Sequence, residues 1–127
     1  MDYPANLKYT KDHEWVRVEG DTAIVGITDF AQDALGDIVF VELPKVGQDV
    51  DAGKGAAVVE SVKSVSDVYA PLSGKVSEVN SELEASPETV NKDPYKSGWM
   101  FKIKLKNKSD VEKLMDSKAY GQLAGKH

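Results

Sequence analysis

In the stretch Val58 to Pro71, VVESVKSVSDVYAP, one lysine, Lys63, stands between Ser61-Val62 and Ser64-Val65, where two runs rich in β-branched residues meet. A lysine at a hairpin tip is ordinarily just solvated, as most of the sixteen basic residues of the chain must be. Three features set this one apart. The tip reads Ser-Val-Lys-Ser, without the Asn-Gly, Asp-Gly or Gly-X pairs that make tight hairpins turn easily. Val62 and Val65 flank the lysine as a pair, and Val58, Val59, Val68 and Tyr69 make stiff legs that hold the tip in one place. No other lysine lies between two strong strand signals with turn glycines and a proline outside both. A rigid hairpin presenting one lysine suits covalent attachment of a swinging cofactor, because the amine becomes a neutral amide and the protein then supplies position.

Other chemistry is sparse. There is no cysteine, which excludes disulfide frameworks, thiolate metal sites, cysteine nucleophiles and protein dithiol pairs together, so any redox chemistry must be borrowed. His13 lies between Asp12 and Glu14, but alternate strand residues face opposite ways and the other histidine is His127, so no functional metal site is expected. Ser61, Ser64 and Ser66 have no histidine near them in sequence and no elbow glycines, and read as turn and edge polarity. With no acid–base or nucleophile constellation, a free-standing enzyme is not expected. A net charge of −5 offers no basic field for nucleic acid or anionic lipid. No apolar run reaches membrane-span length, and the N-terminus MDYPANLKYTKD lacks a signal-peptide core and an Arg-rich transit pattern. The expected location is cytoplasmic, and a mature mitochondrial protein would look the same.

The elements that must position Lys63 follow from periodicity. At 127 residues the chain is expected to form one domain, residues 1–127. HEWVRVEGDTAIVGI, from His13 to Ile27, alternates on a period of two and turns at Glu19-Gly20-Asp21, which predicts a hairpin. TDFAQDALG predicts a short helix with Thr28 as N-cap, Asp29 in the first turn and Gly36 as its stop. A strand is expected from Ile38 to Leu43, then the lysine hairpin over about 56–70, then a strand at Lys75 to Val79. Ser86-Pro87-Glu88 marks a single helical turn and Asp93-Pro94 another turn. From Trp99 the alternation puts Trp99, Phe101, Ile103 and Leu105 on a buried face and Met100, Lys102, Lys104 and Lys106 on the other, with Trp15, Trp99 and Phe101 expected in the core. Ser109-Asp110-Val111-Glu112 matches a capping box, and Val111, Leu114 and Met115 continue a helical stripe toward Ala119 and Tyr120, so a C-terminal helical segment is expected over about 109–124. The sum is a mostly β fold of short strands with small helices at its edges.

ESVKSVSDVYAP, preceded by GDIVFVELPKVG and followed by DPYKSGW, resembles the H protein family of the glycine cleavage system, from about Leu7 through the C-terminal segment. Lipoyl-bearing hairpins also show a Glu three residues before the lysine and a Gly eleven after it, and Glu60 and Gly74 match both. A biotinyl hairpin would place methionines beside the lysine, where this chain has Val62 and Ser64.

The resemblance implies a lipoyl-carrier fold, a β sandwich or flattened barrel with short peripheral helices including a C-terminal one. It implies covalent lipoic acid on Lys63 (N6-lipoyllysine), with Glu60 and Gly74 read by the lipoate-attaching enzymes. It implies a non-enzymatic shuttle that takes the aminomethyl fragment from a pyridoxal-phosphate glycine decarboxylase, the P protein, to a tetrahydrofolate-dependent aminomethyltransferase, the T protein. The dithiol then goes to a flavin dihydrolipoamide dehydrogenase, the L protein. The loaded arm carries a cationic amine, and Glu14 and Asp67 fall on the positions expected to hold it by charge-assisted hydrogen bonds. Asp12 replaces a serine found in some members, and an extra carboxylate there either tightens the hold or faces water. A different job for the same carrier is relay of lipoyl groups to 2-oxoacid dehydrogenase subunits.

Overall fold

The computed structural model describes residues 1–125. The chain starts with a two-residue strand β1 (Lys8–Tyr9) and the hairpin β2 (Glu14–Glu19) and β3 (Thr22–Ile27), turning at Gly20 as the alternation predicts. Helix α1 (Asp29–Leu35) follows, its N-cap Thr28 accepting from the Ala31 N–H at 3.2 Å. Then come β4 (Ile38–Glu42), β5 (Asp49–Val50), β6 (Gly55–Ser61), β7 (Val65–Tyr69) and β8 (Gly74–Val79). One-turn helices α2 (Glu82–Ala85) and α3 (Thr89–Lys92) precede β9 (Phe101–Leu105), a 3-10 segment (Lys108–Lys113) and α4 (Ser117–Ala124). Among the described residues no helix is long and apolar enough to cross a membrane.

All strand pairs are antiparallel, in two open sheets: six strands in the order β1-β2-β3-β9-β8-β5, and three in the order β4-β6-β7. The architecture is therefore a mostly β sandwich rather than a closed barrel. The inward residues of both sheets meet in one core, with Val25, Ile27, Val76, Phe101 and Ile103 from the larger sheet and Ile38, Val41, Val59 and Val68 from the smaller. The larger sheet is covered on its other face as well. Leu7, Tyr9, Trp15, Ile24, Tyr120 and Ala124 form a second cluster, and β3 is consequently buried on both faces from Ala23 to Ile27.

Three expectations need correction. Met100 is fully buried in the core between the sheets, while Trp99 packs half-buried in the second cluster with the Lys102 ammonium 5.1 Å from its ring. Alternation applies only from Phe101, where β9 begins; the two residues before it follow a turn, so the expected faces are exchanged there. The C-terminal segment is not one helix. The 3-10 segment is capped by Asn107 instead of Ser109, and the backbone extends at Leu114 (φ −82°, ψ 157°). Met115 then pairs with Tyr9 through two backbone hydrogen bonds of 2.8 and 2.9 Å, and α4 restarts on the Asp116 cap. Pairing with β1 demands extended backbone, and those tertiary hydrogen bonds override the helical stripe. The Ser81–Pro94 region holds two helical turns where one was expected.

Gly74 opens β8 between β5 and β9. A Cβ there would collide with the Lys104 carbonyl oxygen and approach Ile103 Cγ2 to 2.6 Å, so close strand approach accounts for the glycine. Gly74→Ala is expected to cost about 1–3 kcal/mol through overpacking, read as a lowered midpoint in thermal denaturation; an unchanged midpoint contradicts it.

Candidate functional site

Lys63 sits at the tip joining β6 to β7, exposed, with Val62 and Val65 beside it 68% and 65% exposed. The tip uses no left-handed residue: among the described residues His13 (φ 70°) is the only non-glycine there. Ser61 does the turning. Its N–H donates to the Ser64 carbonyl at 2.8 Å, its hydroxyl donates to the same carbonyl at 3.2 Å, and its Oγ accepts from the N–H groups of Lys63 (3.3 Å) and Ser64 (3.1 Å). A serine that satisfies three groups of its own turn removes the need for positive φ, which is why the missing turn glycine is no defect. Ser61 itself is buried. The tip is also tied outward, since the Val62 N–H donates to the Asp37 carbonyl at 3.1 Å and Ile38 pairs with Ser61 in the sheet. Among the described residues Lys63 makes no ion pair and its amine no hydrogen bond.

Glu60 is exposed on β6, opposite Val65 on one side and Phe40 on the other. Gly74 is not at the tip. Beyond the five residues of β7, about 15 Å of strand, the chain still runs through Ala70 to Ser73 before reaching it. A cavity of about 640 Å³ lies at that end between Asp49, Gly74, Lys75 and Lys104 to Lys106. It is remote from Lys63.

The three carboxylates expected near the arm have different surroundings. Glu14 is 2% exposed. Its Oε1 accepts from the Thr10 hydroxyl at 2.6 Å and its Oε2 from the Tyr69 N–H at 3.2 Å, so it spans from the β1–β2 turn to the free edge of β7. Burial pushes its pKa up from 4.5 to about 7; the two hydrogen bonds pull it down, and the charge of nearby Asp12 adds to the rise. Asp12 is exposed, its N–H donating to Thr10 Oγ1 at 3.2 Å. Asp67 is exposed on β7, two residues toward the tip from Tyr69, beside a groove of about 300 Å³ that Glu42, Leu43, Pro44, Ala56 and Val58 also line. Glu14 of β2 thus meets β7 at Tyr69, two residues from Asp67, and of these two carboxylates only Asp67 opens to solvent. Among the described residues no group of three or more His, Cys, Asp or Glu is arranged to hold a metal ion, and His127 lies outside them.

Two supports were missed in the sequence. Thr10 accepts from the Asp12 and Glu14 N–H groups while donating to the Glu14 carboxylate, a local Ser/Thr turn whose signal is the four-residue spacing. Tyr120 of α4 brings its hydroxyl within 2.7 Å of both His13 Nδ1 and Thr28 Oγ1, joining the turn before Glu14 to the cap of α1. Burial pushes the Tyr120 phenol up to about 12, so it keeps its proton. Nothing local in the sequence reports that contact.

The comparisons with known proteins agree with this arrangement. Residues 7–127 match the family model described as glycine cleavage H-protein. The chain is 59% identical over 117 residues to the glycine cleavage system H protein of Symbiobacterium thermophilum, covering 92% of this chain and 91% of that one. It is 54% identical to a glycine cleavage system H protein of Thermus thermophilus, covering 97% and 96%. Its fold is similar to the crystal structure of a glycine cleavage system H protein from Mycobacterium marinum, with a TM-score of 0.89 and 41% identity over 97% of this chain and 99% of that chain. With the lysine hairpin, the open sandwich and these full-length matches in agreement, the chain belongs to the glycine cleavage H-protein family.

Proposed function

We propose that this chain is the lipoyl-bearing shuttle of glycine cleavage, with lipoic acid joined through an amide to the ε-amine of Lys63. The observation that carries the reading is the tip: a solvent-exposed lysine with no ion partner among the described residues, on a turn braced by Ser61 and tied to Asp37. The residues fit the group. An unpaired amine gives up its charge on acylation without breaking a salt bridge, and a chain without cysteine offers no thiol to exchange with a bound disulfide. When bound, a lipoyl group supplies the disulfide that accepts the aminomethyl fragment of glycine and the dithiol left after its transfer.

The chain's own residues position and shield. Lys63 anchors the arm, and Ser61 keeps the anchor in one geometry. Glu60, three residues before the lysine, faces solvent where an attaching enzyme reaches it, while Gly74 serves recognition by keeping β8 against β9. Asp67 beside its groove, Glu14 behind the β7 edge and Asp12 on the adjoining turn supply negative charge to a cationic amine. Glu14, poised near neutrality, sheds its proton when an ammonium approaches and regains it when the amine leaves. The partners are the glycine decarboxylase, the aminomethyltransferase and dihydrolipoamide dehydrogenase, with the lipoate-attaching enzymes upstream. The chain works in their compartment, the cytoplasm or the interior of a mitochondrion, as a carrier and not as an enzyme.

Intact-mass measurement and peptide mapping of the protein made in a lipoylation-competent cell test the attachment: the added mass is expected on Lys63 alone, and an unmodified Lys63 defeats it. Glycine-dependent bicarbonate exchange with the decarboxylase separates the shuttle from a relay to 2-oxoacid dehydrogenase subunits, which predicts little exchange.

A further inference from the structure

The lysine tip does not rest on its hairpin alone. Its Val62 N–H is held by the Asp37 carbonyl, and the Lys63 side chain lies over Gly36, its Cε 3.4 Å from where a Cβ on that residue would stand. Gly36 has φ 82° and ψ −158°, a backbone state open essentially to glycine, and it ends α1 with its N–H on the Gln32 carbonyl at 3.0 Å. The two-residue link between α1 and β4 is therefore the seat on which the lysine lies.

One side chain from elsewhere in the chain holds that seat. Asn91, on α3, accepts from the Ile38 N–H at 2.9 Å with Oδ1, and donates through Nδ2 to the Gly36 carbonyl at 2.9 Å and to Gln32 Oε1 at 3.0 Å. Gln32 Nε2 in turn donates to Asp29 Oδ1 at 2.7 Å. Asn91 thus grips both ends of the link, leaving the Asp37 carbonyl between them aimed at Val62. An amide matches this task because it offers an acceptor and two donors at once; a carboxylate has no donor and an aliphatic chain has neither.

We propose that Asn91, acting through the Gly36–Asp37 link, is a positioning residue for the acylation of Lys63, fixing where the tip presents the amine to the attaching enzyme. The proposal rests on the reading of Lys63 as the lipoylated residue. An acyl transfer slows when the amine is not held within reach of the reacting carbon, so loosening the seat lowers the rate without altering the amine itself.

The experiment compares wild type with Asn91→Leu and Asn91→Asp, reading the rate of lipoyl transfer to the apo-protein by a purified lipoate-attaching enzyme and amide hydrogen exchange of the folded chain. In both variants kcat/KM for the acceptor is expected to fall about tenfold, carried mainly by KM. Val62 amide exchange is expected to speed up by a similar factor, with Val59 and Val68 unchanged. Asn91→Asp keeps the bond from Ile38 and guards against Asn91→Leu failing to fold. Transfer rates within twofold of wild type overturn the proposal, as does faster exchange spread equally over Val59 and Val68, which marks general destabilisation. A wild-type chain that accepts no lipoyl group at all defeats the reading of Lys63 itself, a result distinct from equal transfer in wild type and variants.

Discussion

Lys63→Arg is expected to abolish attachment of lipoate and with it all support of glycine cleavage, while the fold survives. A guanidinium stays protonated and is not acylated under conditions where a lysine amine is, so the loss is complete rather than graded. The same exchange costs little structurally, because the side chain is exposed and makes no ion pair among the described residues; a change within about 0.5 kcal/mol is expected for such a surface site. Reconstituted glycine decarboxylation, mass measurement and a denaturation curve on the same preparation check the two halves. Residual turnover above the level without carrier would place the attachment elsewhere.

Glu14→Gln is expected to change how stability depends on pH. The folded carboxyl titrates near 7 and its unfolded counterpart near 4.5, so between those values the folded state keeps a proton that the unfolded state has lost. Wild-type stability therefore falls with rising pH across this window, and the stabilising contribution of protonated Glu14, complete below about 4.5, is gone above about 7. At about 1.4 kcal/mol per pH unit the gap sets a ceiling near 3 kcal/mol. Glutamine keeps one acceptor oxygen, for the Tyr69 N–H, and turns its NH2 toward the Thr10 hydroxyl oxygen as a donor; it has no charge to bury, so Glu14→Gln gains on wild type by up to that amount as pH rises from 4.5 to 8. Denaturant unfolding of both proteins at several pH values reads the difference directly; parallel profiles would show that Glu14 is not desolvated. Loading that brings an ammonium to Glu14 stabilises the carboxylate and flattens the wild-type profile.

The two substitutions bear on one strand pair from different places. Lys63 stands at the exposed end of the β6–β7 hairpin, and Glu14 reaches from β2 to the free edge of β7, where its carboxylate accepts from the Tyr69 N–H. Edge N–H groups left unpaired invite association with other strands. Glu14 caps one from within the fold, so the residue expected to meet a substrate amine also satisfies a sheet-edge donor.

The β2–β3 hairpin with its turn at Gly20, the Thr28 cap of α1 and the lysine hairpin were all legible in the sequence, because each depends on contacts within a few residues: period-two alternation, a side chain bonding a nearby N–H, and β-branched legs. That Lys63 stands at the tip of that hairpin was legible for the same reason. Only the tertiary structure decided the rest. Glu14 reads as one of 21 acidic residues until the fold buries it and brings it to the Tyr69 N–H of β7. Asn91 reads as a loop amide until α3 packs beside α1, 55 positions from the Gly36 carbonyl it holds. The C-terminal stripe reads as one helix until β1 offers Met115 a strand partner. In each case the deciding term is burial or a hydrogen bond between segments far apart in the chain, and local periodicity carries no information about which distant segment will arrive.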